Sequence, residues 1–274
     1  MEMPNLPSRI ICLTEEAVEL LYLLGEQERI CGVSSFAVRP ARVKEKPVVS
    51  VFTHANMTKV INMKPDLILG YSDIQKDIAR ELIEKGQNVM IANHRSLQET
   101  LNFCATISHM VGAGEKFVGL HQKWMMKMEE AKSFAEQLQA HLGKPPKVYL
   151  EEWDEPRISG IRYFSELVEL CGGDDILKSK RDGFLAKERF GEDSEVIEQN
   201  PELIFACWCG KKVDFKSILN RQGWEKIPAI LNNRVFELPP ELFLQPGPAL
   251  FEEGIDYLIN LFSKTYGLTP TQRA

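Results

Sequence analysis

The sequence predicts an α/β protein made of two similar lobes with parallel sheets, joined by one long linking helix. The first observation is an internal repeat, because residues 60–70 and 196–206 are alike at an offset of 136 in a chain of 274 residues. Each copy reads as the end of a helix, a proline followed by an acid, and a short apolar strand. The second observation is the alternation of short strands with helices, which is typical of βα units.

Two further pairs of segments support the repeat. Residues 18–25 and 166–173 each read as a helix that ends in glycine, and residues 86–93 match 232–238 more loosely. All three pairs occur in the same order along the chain, which favours duplication of one lobe.

Apolar runs in the first half predict strands, and the amphipathic runs between them predict helices. Thr14 can cap the first helix and Gly25 ends it. Helices are expected at 15–24, 56–63, 74–85 and 96–111. Strands are expected at 9–13, 30–33, 67–70 and 89–92, with 48–52 as either strand or loop.

The third observation is a polar–apolar stretch at 115–142 that predicts one helix about 40 Å long. Gly143 and the prolines that follow it end this helix. Its methionines Met125, Met126 and Met128 are interpreted as core packing at helical spacing, ahead of a ligand surface. A single rigid helix between two α/β halves acts as a spacer.

After this helix the βα pattern starts again. Strands are expected at 147–151, 203–207 and 235–238, and helices at 163–171, 194–199, 215–221 and 249–265. The predicted domains are an N-terminal α/β lobe at 9–113, the linking helix at 114–145 and a C-terminal α/β lobe at 146–266. Two similar lobes predict a cleft between them, and ligand sites favour such interfaces.

The composition argues against several classes of function. A net charge of −6 and a pI near 5.6 disfavour nucleic-acid binding, which needs a clustered basic face. The basic run at 178–181 is better explained as a solvated loop. No stretch of 18 apolar residues occurs, so no membrane-spanning segment is predicted.

The N-terminal sequence and the cysteines bear on location. No basic segment followed by an apolar run precedes the first strand, so the chain as given is expected to be cytoplasmic. The alternative is a periplasmic protein from which a leader was removed. Six cysteines in 274 residues do not make a disulfide framework.

The sequence carries no recognised catalytic motif. The dinucleotide glycine pattern, the phosphate loop and the nucleophile elbow are absent, and the five histidines lack metal-ligand spacing. We therefore expect no enzyme, no metal site and no resident cofactor. Cys207 and Cys209 fall on one face of a strand. A thiol–metal or redox role is open there, but structural or cleft-lining thiols are favoured because no second Cys or His pair completes a zinc site.

Eight short segments carry a resemblance to a known family. They read RIICL at 9–13, GVSS at 32–35, MKPDLI at 63–68, LCGG at 170–173, NPELI at 200–204, WEKIPA at 224–229, RVF at 234–236 and PGP at 246–248. In this order around a linking helix they resemble the class III solute-binding proteins of ABC importers, the group that carries cobalamin and ferric siderophores. The likeness is closest to the cobalamin-binding branch and covers residues 9–262. It implies the class III periplasmic-binding-protein fold, with a shallow cleft and limited hinge motion.

This resemblance implies non-catalytic binding of a cobalamin-like corrinoid by a monomer that serves an importer. Ferric siderophore or haem is the runner-up ligand. Siderophore sites usually need a basic cleft, and few arginines fall in the strand-end loops, with Arg39, Arg157 and Arg189 as the exceptions. A two-lobed glycosyltransferase-like enzyme is the other class considered, but such enzymes have crossing loops and a nucleotide site instead of one uninterrupted helix.

Aromatic residues in the strand-end loops form the predicted binding site, because ligands of parallel sheets bind beyond the carboxyl ends of the strands. Rigid aromatic rings bury much area at little entropy cost, which suits a flat corrin. The relatives place aromatic contacts clearly at Phe36, Phe52 and Tyr71, and less securely at Trp153 and Phe190. The predicted set is completed by Phe184, Trp208 and Phe243, with Glu241 and Gln245 as hydrogen-bonding groups for ligand amides.

For any single aromatic residue of this set, packing in the core is the alternative. His54, two residues after Phe52, is interpreted as a surface loop histidine ahead of a ligand contact.

Docking to an importer is the feature in which the sequence departs from the family pattern. Relatives usually carry one glutamate on each lobe, seven residues before the proline of the repeated motif, and these pair with arginines of the membrane subunits. Here the two positions are Thr58 and Ser194. Glu195 is the adjacent candidate for a substitute, whereas Lys59 has the wrong sign. The sequence therefore predicts that the protein works without docking through paired carboxylates.

Overall fold

The computed structural model describes residues 5–269, so the first residues of the expected N-terminal segment lie outside it. The chain divides into two compact units. Unit 1 holds the chain up to His94, Gln98–Lys123 and Gln245–Ala249. Unit 2 holds Arg95–Leu97, Trp124–Leu244 and the chain from Leu250 onward. The predicted three-part division at 113 and 145 stays a prediction.

The first half of the chain contains the elements of unit 1, and its strands all pair in parallel. The strands are β1 (Ile10–Cys12), β2 (Ile30–Ser34), β3 (Val48–Ser50), β4 (Leu67–Tyr71) and β5 (Val89–Ala92). The helices are α1 (Glu15–Leu23), α2 (Met57–Asn62), α3 (Lys76–Glu84), α4 (Leu97–Met110) and the start of α5 (Gly114–Leu142).

The sheet of unit 1 has the order β3-β2-β1-β4-β5. Ile10 of the central strand β1 pairs with Leu67 of β4 on one side and Ile30 of β2 on the other. Every residue of β1 and β4 is buried, as expected for a parallel sheet covered by helices on both faces. This explains why both strands read as unbroken apolar runs in the sequence.

Unit 2 repeats the arrangement with one local exception. Its strands are β6 (Lys147–Asp154), β7 (Arg157–Ser159), β8 (Asp174–Asp175), β9 (Leu203–Ala206) and β10 (Val235–Glu237). Its helices after α5 are α6 (Arg162–Leu170), α7 (Asp193–Gln199), α8 (Phe215–Leu219), α9 (Pro228–Leu231), α10 (Pro240–Phe243) and α11 (Ile255–Tyr266). The sheet has the order β10-β9-β6-β7, with β8 also on β6.

The exception is the pair β6–β7, which is antiparallel. The expectation of a purely parallel second sheet is wrong at this edge, and β6 continues to Asp154 instead of ending at Glu151. Residues 152–155 contain a single large apolar residue, Trp153. This is too short a pattern of alternating apolar and polar residues to predict a strand. Glu155 and Pro156 form the turn, in which proline is common, and the return strand begins at Arg157.

The repeat seen in the sequence is also present in the backbone. Helix α7 and strand β9 begin 136 residues after α2 and β4, respectively. The order β1-β4-β5 recurs as β6-β9-β10. Lys64 and Asn200 occupy equivalent positions before a proline, and both adopt left-handed φ angles, of 49° and 55°. Such angles are uncommon for residues other than glycine, so their recurrence supports a common origin of the lobes.

Helix α5 has 29 residues and begins one residue before the expected position. The interpretation of its methionines as core residues is wrong for Met126, which is 66% exposed, whereas Met125 and Met128 are half-buried. The residue of this segment that packs in the core is Trp124, whose ring stacks on Phe251 at 5.2 Å between centroids. Among residues 5–269, no helix has the length and apolar character of a membrane span.

The closing helix also differs from its prediction. The expected continuous helix at 249–265 is a π-helical turn at Leu250–Gly254 followed by α11. π-helical turns are rare and occur mostly as single turns within α-helices, so the α-helical periodicity of this segment did not predict one.

Candidate functional site

Phe36 and Phe52 lie beyond the carboxyl ends of β2 and β3 in unit 1. Phe36 is 40% exposed and Phe52 is half-buried. Their ring centroids are 6.5 Å apart in an edge-to-face arrangement. Further exposed apolar side chains of the same strand-end loops are Val38, Val51 and Ile74. Unit 1 therefore presents an apolar, partly aromatic surface at the end of the sheet where ligands of parallel sheets bind.

Gln75 is a buried residue that holds this end of the sheet together, and sequence reasoning missed it. Its side-chain amide donates to the carbonyls of Phe52 at 2.9 Å and Leu13 at 3.3 Å. Its amide oxygen accepts from the backbone N–H of Tyr71 at 3.0 Å. One side chain thus ties the ends of β1, β3 and β4, which fixes the position of the Phe52 loop.

Tyr71 lies in the interior of unit 1 rather than on the surface. Its hydroxyl donates to the carbonyl of His94 at 2.9 Å, and the two rings lie 4.9 Å apart. The His94 ring stacks in turn on Phe103 at 4.4 Å, and its Nε2 lies 2.7 Å from the carbonyl of Pro246. Tyr71 therefore supports the loop after β5 in this structure, and its predicted ligand contact stays a prediction.

Three carboxyl groups are buried in the first turns of α1, directly after β1. Burial raises the pKa of Glu15 to about 7 and that of Glu16 to about 8. The Thr14 hydroxyl donates to Glu16 at 2.5 Å. The third carboxyl, Glu19, forms an ion pair with Arg39 at 3.0 Å. Arg39 is therefore paired within unit 1, although the sequence suggested it as a cleft base.

Trp153 belongs to β6 and not to a loop, and its ring is half-buried. A lysine ammonium that the sequence analysis did not predict lies over this ring. The ammonium of Lys211 lies 4.1 Å from the centroid of the Trp153 ring and 4.7 Å from that of Trp208. It also forms a 2.5 Å ion pair with Asp154. The signal available in the sequence was a lysine two residues beyond Cys209, in the loop that follows β9.

Trp208 and Phe243 are core residues, which corrects their prediction as ligand walls. Trp208 is 1% exposed, and its indole N–H donates to Glu151 at 3.1 Å. Phe243 is fully buried and packs against Phe164 and Tyr257, with centroids 5.6 and 5.5 Å apart. Both rings are buried by neighbouring residues of unit 2, so neither has surface accessible to a ligand.

Phe184 and Phe190 are exposed on the segment between β8 and α7. Phe184 is 53% exposed, and the guanidinium of Arg95 lies 5.3 Å from its ring centroid. Phe190 is held by a backbone bridge to Ile158. These two aromatics stay on the surface of unit 2, as a role in binding requires.

The other polar residues predicted near the site are half-buried or exposed. Glu241 and Gln245 are half-buried near the end of α10. His54 is exposed, and its Nδ1 lies 2.9 Å from the Thr53 hydroxyl. Among the residues that the structure describes, no group of three His, Cys, Asp or Glu side chains could hold a metal ion.

The two cysteines after β9 differ from one another. Cys207 is buried, and burial raises its pKa well above the ordinary value, whereas Cys209 is exposed. A thiol with a raised pKa is a poor nucleophile and a poor metal ligand at neutral pH. This favours the structural interpretation for Cys207.

The remaining arginines of the predicted cleft are paired within unit 2. Arg157 bonds Asp193 at 2.7 Å and Arg189 bonds Glu152 at 2.7 Å. Glu195, the candidate substitute for a docking carboxylate, already pairs with Lys180 at 2.6 Å.

Two similar α/β units with aromatic residues exposed near the carboxyl ends of their strands are typical of solute-binding proteins. A family model described as periplasmic binding protein matches residues 10–242, and the chain belongs to this family. The predicted resemblance and fold class are thereby confirmed. Members of the family bind solutes for ABC importers and are not enzymes, so the prediction that the protein is not an enzyme is confirmed as well.

Two curated relatives span most of the chain. The uncharacterised ABC transporter substrate-binding lipoprotein YvrC of Bacillus subtilis is 25% identical over 260 residues, which cover 92% of this chain and 79% of the relative. The vitamin B12-binding protein of Vibrio vulnificus is 24% identical over 249 residues, covering 88% of this chain and 85% of the relative.

Solved structures share the fold. The periplasmic vitamin B12 binding protein BtuF of Vibrio cholerae has a TM-score of 0.74 at 20% identity, covering 97% of this chain and 100% of its own. The periplasmic haem-binding protein RhuT of Roseiflexus sp. RS-1 has a TM-score of 0.77 at 18% identity, covering 95% and 98%. Proteins with different ligands thus share this architecture, and the fold alone does not select the ligand.

Proposed function

We propose that the protein binds a cobalamin-like corrinoid without chemistry and delivers it to the membrane subunits of an ABC importer. The observation that carries this proposal is the set of exposed and half-buried aromatic residues near the carboxyl ends of the strands. Phe36 and Phe52 supply it in unit 1, and Trp153, Phe184 and Phe190 supply it in unit 2. Rings held on ordered loops bury a large planar ligand at a small cost in conformational entropy.

The relatives named for vitamin B12 binding support the corrinoid over other ligands. Haem is the second candidate, because Arg95 and Lys211 place cations beside aromatic rings, an arrangement that suits a planar ligand with carboxylates.

Location and docking complete the proposal. The relatives named as a lipoprotein and as periplasmic favour the exported alternative over the expected cytoplasmic location. Cell fractionation of the producing organism tests this, and recovery in the cytoplasm would contradict it. Docking is proposed to use groups other than paired carboxylates, because Thr58 and Ser194 replace them and Glu195 is already paired. The double substitution Thr58→Glu with Ser194→Glu should then leave delivery of the ligand to the importer unchanged.

Ligand binding can be tested directly with the purified protein. We expect cobalamin to bind in a saturable one-to-one complex, measured by titration calorimetry and by the visible absorbance that co-elutes with the protein on gel filtration. Haem and a ferric siderophore serve as the competing ligands in the same assay. Binding of haem or the siderophore with no binding of cobalamin would replace the corrinoid as the ligand.

A further inference from the structure

The ammonium of Lys211 occupies an unusual position at the carboxyl end of the unit 2 sheet. It lies over the rings of Trp153 and Trp208, with centroid distances of 4.1 and 4.7 Å, and beside the Asp154 carboxylate at 2.5 Å. Its side chain nevertheless keeps 39% of its surface exposed. A cation is thus held over a half-buried aromatic ring and is still partly exposed to solvent.

The local backbone explains how Lys211 reaches this place. Strands β6 and β9 are neighbours, with Glu151 paired to Ala206, so the residues that follow them emerge side by side. Gly210 has a φ of +74°, a left-handed conformation that glycine adopts readily. The chain can therefore reverse after Cys209 and direct the next side chain back over Trp153. Val213 then anchors the loop, since its N–H donates to Glu237 at 3.0 Å.

Two arginines of unit 2 are engaged more completely than Lys211. The Arg221 and Arg189 guanidinium groups are less than a tenth exposed, and each is paired with a glutamate. Lys211 differs because an ammonium has three N–H donors and, among the described residues, Asp154 is the acceptor bonded to it. The side chain is partly exposed, so the ammonium is accessible to a ligand that packs beside Trp153.

The Asp154 carboxylate keeps the cation in place across the physiological pH range. Burial acts to raise the pKa of Asp154, but the hydrogen bonds from Lys211 and the backbone outweigh it and lower the pKa below its ordinary value. Asp154 is therefore a carboxylate at neutral pH, and the two indole rings add cation–π attraction for the ammonium.

We propose that Lys211 determines specificity by binding an anionic group of the ligand, a carboxylate or a phosphodiester, attached to a planar body that packs at Trp153. The Trp153 ring favours ligands with a flat apolar face. Among these, the Lys211 ammonium favours ligands that carry a negative charge within its reach. This inference rests on the proposed ligand-binding function and names the chemistry that the site prefers.

Matched pairs of ligands test the proposal. Cobalamin carries a phosphodiester in its nucleotide loop, and cobinamide keeps the corrin ring without that loop. Haem carries two carboxylates, and haem dimethyl ester has none. Affinities are measured by calorimetry for the wild type, for Lys211→Met, which keeps the apolar stem, and for Lys212→Met, the exposed neighbour that serves as the control.

We expect Lys211→Met to weaken binding of the anionic member of a pair about tenfold or more, the usual scale for losing a hydrogen bond to a charged group. Its neutral counterpart should change less than about twofold, and Lys212→Met should bind both like the wild type.

The outcomes separate this inference from the proposed function. If the wild type binds and Lys211→Met leaves the affinity for the anionic member unchanged, or weakens both members of a pair equally, the role of Lys211 is overturned and the proposed function stands. If the wild type binds none of the four ligands, the proposed function is overturned together with this inference. Equal thermal midpoints of the variants exclude misfolding as the cause of any loss.

Discussion

Arg221 and Glu151 form a bidentate ion pair in the interior of unit 2, with nitrogen–oxygen distances of 2.5 and 2.9 Å. Glu151 is fully buried and lies on the central strand β6. Burial acts to lower the pKa of Arg221, but the hydrogen bonds and charge of Glu151 outweigh it and raise that pKa. The indole of Trp208 donates to the same carboxylate, so the pair orients a ring beneath the proposed binding surface.

Removing one partner of this pair should destabilise the protein strongly. We expect Glu151→Gln or Arg221→Ala to lower the free energy of unfolding by about 3–5 kcal/mol, because each leaves a buried group without its charge partner. Urea denaturation followed by tryptophan fluorescence measures the loss.

Two comparisons sharpen that prediction. The double substitution Glu151→Leu with Arg221→Met should cost less than either single change, since no uncompensated charge remains. Lys85→Ala, which breaks the exposed pair with Glu81, should cost at most about 1 kcal/mol. If Arg221→Ala lowers the free energy of unfolding by no more than Lys85→Ala does, the buried pair is dispensable for stability.

The aromatic surface should supply a measurable part of the binding energy. We expect Phe52→Ala and Trp153→Ala each to weaken ligand binding by about 1–3 kcal/mol, the range for losing an aromatic anchor. Leu231→Ala is the matched control, because Leu231 is exposed at the end of α9, which precedes β10 and so lies at the opposite end of the sheet. Calorimetric titration measures the affinities. Unchanged affinity in both aromatic variants would remove these rings from the site.

Stability should depend on pH through the buried carboxyl of Glu16. Its pKa is about 8 in the folded protein against an ordinary value of 4.5, so the folded state binds more protons between these values. Its contribution is therefore fully present below about pH 4.5 and is lost as pH rises through about 8. We expect the free energy of unfolding to fall over this window by up to about 1.4 kcal/mol per pH unit for this group.

Glu16→Gln should reduce the slope of that pH profile, because an amide in the same place does not titrate. The slope that remains comes from Glu15, whose pKa is raised to about 7. Glu45→Gln, at an exposed position, should leave the profile as it is in the wild type. Chemical denaturation at intervals from pH 5 to pH 9 would reveal both slopes. A wild-type profile that rises with pH would be the wrong sign for a buried neutral acid.

Two glycines should respond oppositely to alanine. A Cβ at Gly247 would lie 2.5 Å from the Cβ and 2.9 Å from the Cα of Glu16, so backbone must shift and Gly247→Ala should destabilise by about 1–3 kcal/mol. Gly119 is exposed within α5 with open space around it, and Gly119→Ala should stabilise by up to about 1 kcal/mol. Thermal unfolding compares the two. A loss on substituting Gly119 would contradict the helix-propensity argument.

Much of the fold could be predicted because its signals are local. Apolar runs such as Leu67–Tyr71 and Leu203–Ala206 are central strands buried on both faces, and the residues before Pro65 and Pro201 end their helices. The β6–β7 hairpin could not be predicted, since the residues that form it carry charges that are satisfied by distant partners such as Arg189.

The sequence by itself determined the doubled α/β architecture, the long helix and the family, because repeats, periodicity and helix-ending residues are properties of neighbouring positions. Only the tertiary structure decided which aromatics are surface and which are core. Trp153 and Trp208 have similar local settings, yet the second is buried on Glu151 while the first is left half-exposed beneath Lys211. Burial and charge pairing depend on residues brought together from distant parts of the chain, and no local pattern encodes them.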